Sequence, residues 1–196
     1  MSQGSLPGFE PAQPTDRLFL AIFPDAHHAE QLATRAAAHL ADHRSISGAT
    51  EASRLHVTVF HLGDYTELPP GLVTSATQAL SALAAKPFTI RFDQIGSFSH
   101  RQPSGPLVLT ASEGNEELRA LHTQLAMHLR ASALGQWTRG SFEPHMTVAY
   151  NASTIPFERI APISWPAGEV VLVHSLLGKT RHIRLASQPL QSAMSG

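Results

Sequence analysis

With 196 residues, 42% of them hydrophobic and 15% charged, the chain is long enough for one packed domain and has the balance of a soluble globular protein. Its net charge of −1 excludes the broad basic face that tracks long nucleic acid, so any nucleic-acid contact must be local, on a fragment or a terminus. There is no cysteine, which excludes disulfides, a thiolate nucleophile and cysteine-held metals and suits a reducing, cytoplasmic setting.

Residues 1–15 carry Gly4, Pro7, Gly8, Pro11 and Pro14 with little periodicity and are expected to be a disordered arm. No basic segment leads into an apolar one, so no signal peptide is expected. Residues 18–23 are a continuous apolar run, read as a buried strand and far too short to span a membrane. Pro24 and Asp25 open a helix, with Asp25 as N-cap, that runs to about His43 with Leu32, Ala36 and Leu40 on one face. Residues 45–53 form a polar loop, and residues 54–62 a strand ending at Gly63. Leu72, Ala76, Leu80 and Leu83 mark a second helix closed by Pro87. Residues 88–92 and 107–110 read as strands around a Ser-, Gly- and Pro-rich loop at 96–106. Leu118, Leu121, Leu125 and Leu129 place a third helix, ended by Gly135. Residues 144–150, 169–176 and 182–185 complete the strands, and residues 191–196 are a loose tail. One domain, or one domain of two lobes, is the expectation.

One four-residue word is written twice: His56-Val57-Thr58-Val59 and His145-Met146-Thr147-Val148. Each follows a helix and lies in a predicted strand, which hints at an internal duplication. Alternate residues of a strand share a face, so His56 points with Thr58 and His145 with Thr147, while Val57, Val59, Met146 and Val148 point to the core. If the two strands are neighbours or related by a pseudo-twofold axis, four polar groups converge on one cavity. An imidazole can serve as acid or base near neutral pH. In-line attack on phosphorus needs a base on the entering oxygen and an acid on the leaving one. Threonine hydroxyls can hold the non-bridging oxygens. A single His-x-Thr is an ordinary strand feature; two in matching contexts point to phosphoryl chemistry that requires no metal or other cofactor.

The stretches 54–63 and 142–150 around these words resemble the two signature motifs of the two-histidine (2H) phosphoesterases. The nearest branch is the LigT-like "2′-5′ RNA ligase" group, whose members act as RNA 2′,3′-cyclic phosphodiesterases. The opening strand from Arg17 to Ile22 and the closing stretch with Ser175, Gly178, Pro189 and Leu190 are similar to that branch too, so the resemblance covers about 16–190. It implies a bilobal α+β fold, each lobe an antiparallel sheet with helices outside, around a central cleft. It implies His56 and His145 as the catalytic pair, His56 acid and His145 base, with Thr58 and Thr147 as phosphate ligands. The implied reaction opens a 2′,3′-cyclic phosphate at an RNA 3′ end, or on a small cyclic nucleotide, to a 2′-phosphomonoester. Ligation of cyclic-phosphate and 5′-hydroxyl ends on the same residues, and RNA-end binding without turnover, are the alternatives. Three positions depart from the pattern. His61 stands where an aromatic is frequent, Tyr150 where arginine is, and His182 where tyrosine is. These, with Arg181, are the expected substrate-binding residues; Arg139 and Lys179 are further candidate cations.

Other features carry less. His39 and His43 have the i, i+4 spacing of a metal pair without a matching carboxylate, so no metal is expected. His27 and His28, and likewise His122 and His128, are expected at the surface. Phe98 and His100 read as an ordinary loop that could border the cleft. Trp137 and Trp165 read as core. No phosphate-cradling glycine loop is present, so ATP use has no support. A monomer without an obligate protein partner is expected.

Overall fold

The computed structural model describes residues 12–42, 48–98 and 102–191. His43, His100, most of the predicted arm and residues 192–196 lie outside the described residues. The strands are β1 (Asp16–Ile22), β2 (Val57–Tyr65), β3 (Phe88–Gly96), β4 (Ser104–Thr110), β5 (His145–Ser153), β6 (Glu158–Ala167), β7 (Glu169–Leu176) and β8 (Arg181–Pro189). The helices are α1 (Ala26–Asp42), α2 (Pro70–Ser81) and α3 (Glu116–Ala131).

All eight strands form one sheet in the order β6-β3-β4-β5-β2-β1-β7-β8, every pair antiparallel. The α+β expectation holds, but in place of the two sheets expected there is one, divisible into two four-stranded halves. They meet at one residue pair, Val57 with Met146. The unit β1-α1-β2 recurs as β4-α3-β5, and the two repeated words lie at the starts of β2 and β5, the middle strands, with His56 one residue ahead of β2. A local twofold relation therefore passes between the words.

One core fills the space between the sheet and its helices. Leu18, Leu20 and Ile22 of β1 lie fully buried in it with Val57 and Leu62 of β2 and Met146 and Val148 of β5. Each such side chain contributes about 1.5–3 kcal/mol by leaving water. The helices cross between halves. The guanidinium of Arg35 on α1 donates to the Ala161 carbonyl of β6 at 3.3 Å. His122 of α3 is stacked between Phe60 of β2 and Phe142, both at 4.2 Å. That corrects the surface expectation for His122, because the apolar Phe60 and Phe142 faces need a flat partner. His128 is half-buried too, its Nε2 buried and unpartnered. Asp25 caps α1 through the His28 amide at 3.0 Å, as its position predicts.

Several boundaries differ from the sequence reading. Residues 54–56 precede β2; Ala52–Arg54 is instead a 3-10 turn. β3, β4, β5 and β8 are longer than their apolar runs. β6 escaped the reading altogether: Pro162 and Pro166 argue against a strand, yet β6 is an edge strand, where a missing N–H costs no ladder bond. Thr15, assigned to the arm, already bonds Tyr65 through its amide at 2.9 Å. Among the described residues no helix is long and apolar enough to cross a membrane.

Candidate active site

The face of β1 and β7 turned away from the helices carries a small apolar cluster, Phe19, Ala21, Val171 and Val173, with Phe23 against it. His56 rests on this floor. Its ring stacks on Phe19 at 4.9 Å and tilts against Phe23 at 5.4 Å. Fully buried Leu55 and the 3-10 turn before it fix the backbone just ahead of the ring. The His56 Nδ1–H donates to the Arg54 carbonyl at 2.6 Å. A carbonyl can only accept, so Nδ1 carries the proton and Nε2 is the nitrogen left for chemistry.

His145 repeats the device on the other half. Its Nδ1–H donates to the Glu143 carbonyl, again two residues back, at 2.8 Å. The segment leading into it is tied down. Arg119 donates to the Phe142 carbonyl at 3.0 Å and the Glu143 carboxylate at 3.1 Å. The buried Thr110 hydroxyl donates to the Pro144 carbonyl at 2.9 Å. Phe98, half exposed, packs edge-on against the His145 ring at 5.2 Å. Phe98, from the loop that reads as ordinary in sequence, is therefore in contact with a motif histidine.

Alternation puts Thr58 and Thr147 on the faces of their histidines, and both are half-buried while Val57, Val59, Met146 and Val148 are buried. A regular strand would turn the fifth residue after each histidine to the opposite face. Both strands avoid this in the same way. β2 gains an extra residue between the partners of Leu20 and Ala21, at Val59-Phe60. β5 gains one between the partners of Leu107 and Val108, at Val148-Ala149. Each bulge sends two successive residues into the core and returns His61 and Tyr150 to the histidine face. The only trace in sequence is a pair of consecutive apolar residues at the same place in each word.

The surroundings differ. The His61 Nε2–H donates to Asp64 at 2.9 Å, and Arg17 grips the same carboxylate with two bonds of 2.7 Å. Arg17 first and His61 second pull the Asp64 carboxyl down to about 2. Tyr150 is 53% exposed and near enough to Arg17 to act on its charge. His182 of β8 meets His56 and Phe19 edge-on, each at 5.4 Å. Arg181, exposed, follows strand alternation to the face opposite His182, so it is not brought to the histidines. Arg139 lines a polar cavity of about 300 Å³ shared with His61, His122 and Trp137. Trp165 is core, as read. His39 lies 3.4 Å from Glu158, and no group of three metal-ligating side chains occurs among the described residues.

Burial is the main influence on His56. It drives the imidazole pKa down to about 4 against the favourable pull of the Arg54 carbonyl, and the charges of His182, Arg54 and His145 push the same way. His182 is also lowered, by burial and then by Arg54. Arg54 was not singled out by sequence; its place two residues before a motif histidine was the available signal.

Two Nδ1-anchored histidines, each with a threonine on its own face, stand at the start of paired strands of an antiparallel sheet, the arrangement expected of a two-histidine phosphoesterase. A family model for the 2′-5′ RNA ligase superfamily matches residues 23–178, and the chain belongs to that superfamily. The fold agrees with solved structures. E. coli LigT in apo form is 22% identical at a TM-score of 0.72, covering 92% of this chain and 100% of that one. E. coli LigT with 3′-AMP is also 22% identical, at 0.70 and the same coverage. TT0787 of Thermus thermophilus is 22% identical at 0.69, covering 90% and 99%. No curated protein sequence matches the chain.

Proposed function

We propose that the protein hydrolyses 2′,3′-cyclic phosphates at RNA 3′ ends or on small cyclic nucleotides to 2′-phosphomonoesters. The observation that carries this is the pair of histidines, each committed at Nδ1 to the carbonyl two residues back and so presenting Nε2 from the cleft face beside a threonine. That pairing is what an in-line displacement requires. The likeness to LigT, solved with 3′-AMP, supports a nucleotide-sized ligand.

In this reading Thr58 and Thr147 donate to the non-bridging oxygens. His145 takes a proton from water as its oxygen bonds to phosphorus. His56 gives a proton to the 3′ oxygen as the P–O3′ bond breaks. His56 is neutral in the free protein, since burial holds it near 4. It becomes an acid when the substrate anion arrives beside it, because a desolvated imidazolium is stabilised by an adjacent negative charge. The 2′-phosphate product leaves with His56 neutral and His145 protonated, and exchange with solvent restores the pair.

The test is an oligonucleotide ending in a 2′,3′-cyclic phosphate, incubated with protein and EDTA. A 2′-phosphate end that disappears with His56→Ala and with His145→Ala is the expected result. Binding without turnover would overturn the enzyme reading, and a joined product with a 5′-hydroxyl oligonucleotide would favour ligation.

A further inference from the structure

The halves differ in what they do with their aromatic rings. Beside His56 the first half covers them: Phe19 is buried under the imidazole, and the group it leaves at the surface five residues on is the polar His61, paired with Asp64. The second half leaves its rings open. Among the described residues five large apolar side chains are exposed, and the three aromatic ones, Phe98, Tyr150 and Phe157, all belong to this half. Phe98 follows β3 and is 51% exposed; Phe157 precedes β6 and is 37% exposed. Their ring centroids are 5.5 Å apart, and Phe98 meets the His145 ring edge-on at 5.2 Å. The three rings form a chain that ends on a motif histidine. Its outer end is seated by Gly96: a Cβ at that position would stand 2.7 Å from both Cα and Cδ1 of Phe157, so the ring lies against bare backbone.

An exposed ring at the edge of a candidate site is a surface on which a flat π-system stacks. The proposed chemistry says where such a group lies on the substrate. The P–O3′ bond breaks toward His56, and the 2′ oxygen stays on phosphorus. The base is borne by C1′, which is bonded to C2′, whereas C4′ is bonded to C3′. The base therefore hangs from the carbon farther from His56, on the side of the second half. We propose that Phe98, backed by Phe157, is a stacking platform for the base of the reacting nucleotide, and that it makes the protein select cyclic phosphates by their base, purines over pyrimidines. This rests on the cyclic phosphodiesterase reading and adds the residues that set base preference. Stacking uses the ring face, which every base has, and strengthens with ring area. The platform thus ranks bases by size without reading their edges.

The test uses three 2′,3′-cyclic phosphates that share the reacting group: those of adenosine, of uridine and of methyl β-ribofuranoside, which carries no base. The kcat/KM is expected to fall in that order, with adenosine ahead of the base-free compound by about 5- to 100-fold, the range for one base–aromatic stack. The gain should lie mainly in KM. Kd values of the matching 2′-phosphate products should follow the same order. Phe98→Ala should bring the three compounds together, Phe98→Leu should keep a part of the spread, and Phe98→Trp should keep or widen it. Phe157→Ala should narrow it less. Equal values for the three compounds in the unmodified protein overturn the proposal. So does an equal loss on all three in Phe98→Ala, which would make Phe98 a support for His145 alone. If no cyclic compound turns over, the phosphodiesterase reading fails, and the order of the product Kd values still decides whether the platform exists.

Discussion

The two halves of the sheet carry one device in two settings. His56 and His145 share the word, the carbonyl anchor two residues back and the bulge that follows. Yet His56 is packed among Phe19, Phe23 and His182, while His145 has the half-exposed Phe98 at its edge. In the proposed reading, duplicated geometry would supply a symmetric grip on a phosphate. Unequal burial breaks the symmetry, and an acid and a base must differ. Five residues on, His61 and Tyr150 are both exposed, His61 paired with Asp64 and Tyr150 near the charge of Arg17.

The largest effect comes from removing either histidine. His56→Ala and His145→Ala are each expected to lower kcat by about 10²–10⁴-fold, the range for a general acid or base. A substrate with sulfur at the 3′ position separates the roles, because a better leaving group needs no proton. On it the His56 variant should recover much of its rate and the His145 variant should not. Recovery by the His145 variant instead would reverse the assignment.

The threonines test whether the symmetry extends to binding. Thr58→Val and Thr147→Val each delete one hydroxyl donor and keep the shape. Each should cost about 10²-fold in kcat, as for one donor of an oxyanion site. Equal losses would mean the two halves share the phosphate evenly. A silent variant on one side would mean that its half only positions a histidine.

The words, the core-facing residues between them and all three helices were legible because period and spacing report on them directly. The pairing of His56 with Thr58 and of His145 with Thr147 needed only strand alternation. What escaped depended on neighbours. β6 is permitted its prolines only by lying at an edge, and edge position is a property of the sheet order. The placement of His61 and Tyr150 turns on bulges that shift register by one residue and leave two adjacent apolar residues as their sole mark. His122 reads as solvent-facing from its own helix; Phe60 and Phe142, 62 positions before and 20 after it, are brought to its two faces only by the fold.

A smaller effect concerns His56 with an anion at hand. Followed by its ring proton signals, His56 in the free protein should titrate near 4. Sulfate, which does not itself titrate in this range, should move that midpoint upward if the anion sits between the two words. Phe19→Ala should move it upward without sulfate, since burial is the leading cause of the depression. A midpoint near the ordinary 6.5 in the free protein would remove the asymmetry between the halves.

The same burial has a consequence for stability, and its sign follows from proton counting. The unfolded chain protonates His56 near 6.5, whereas the folded chain does so only near 4. Between those values the unfolded state holds the extra proton, so stability rises with pH in that window. The contribution is fully present above about pH 6.5, falls progressively below it, and is gone below about 4. Its ceiling is about 3 kcal/mol, from a depression worth about 1.4 kcal/mol per pH unit. Urea unfolding at pH 7 and pH 4.5 should differ by a large part of that amount. His56→Phe should flatten the difference, because a phenyl ring keeps the stacking on Phe19 and has no proton to gain. His145→Phe, on the more open half, should leave most of it. Equal flattening by the two variants would mean that the halves bury their histidines alike, and the division into acid and base would then need another cause.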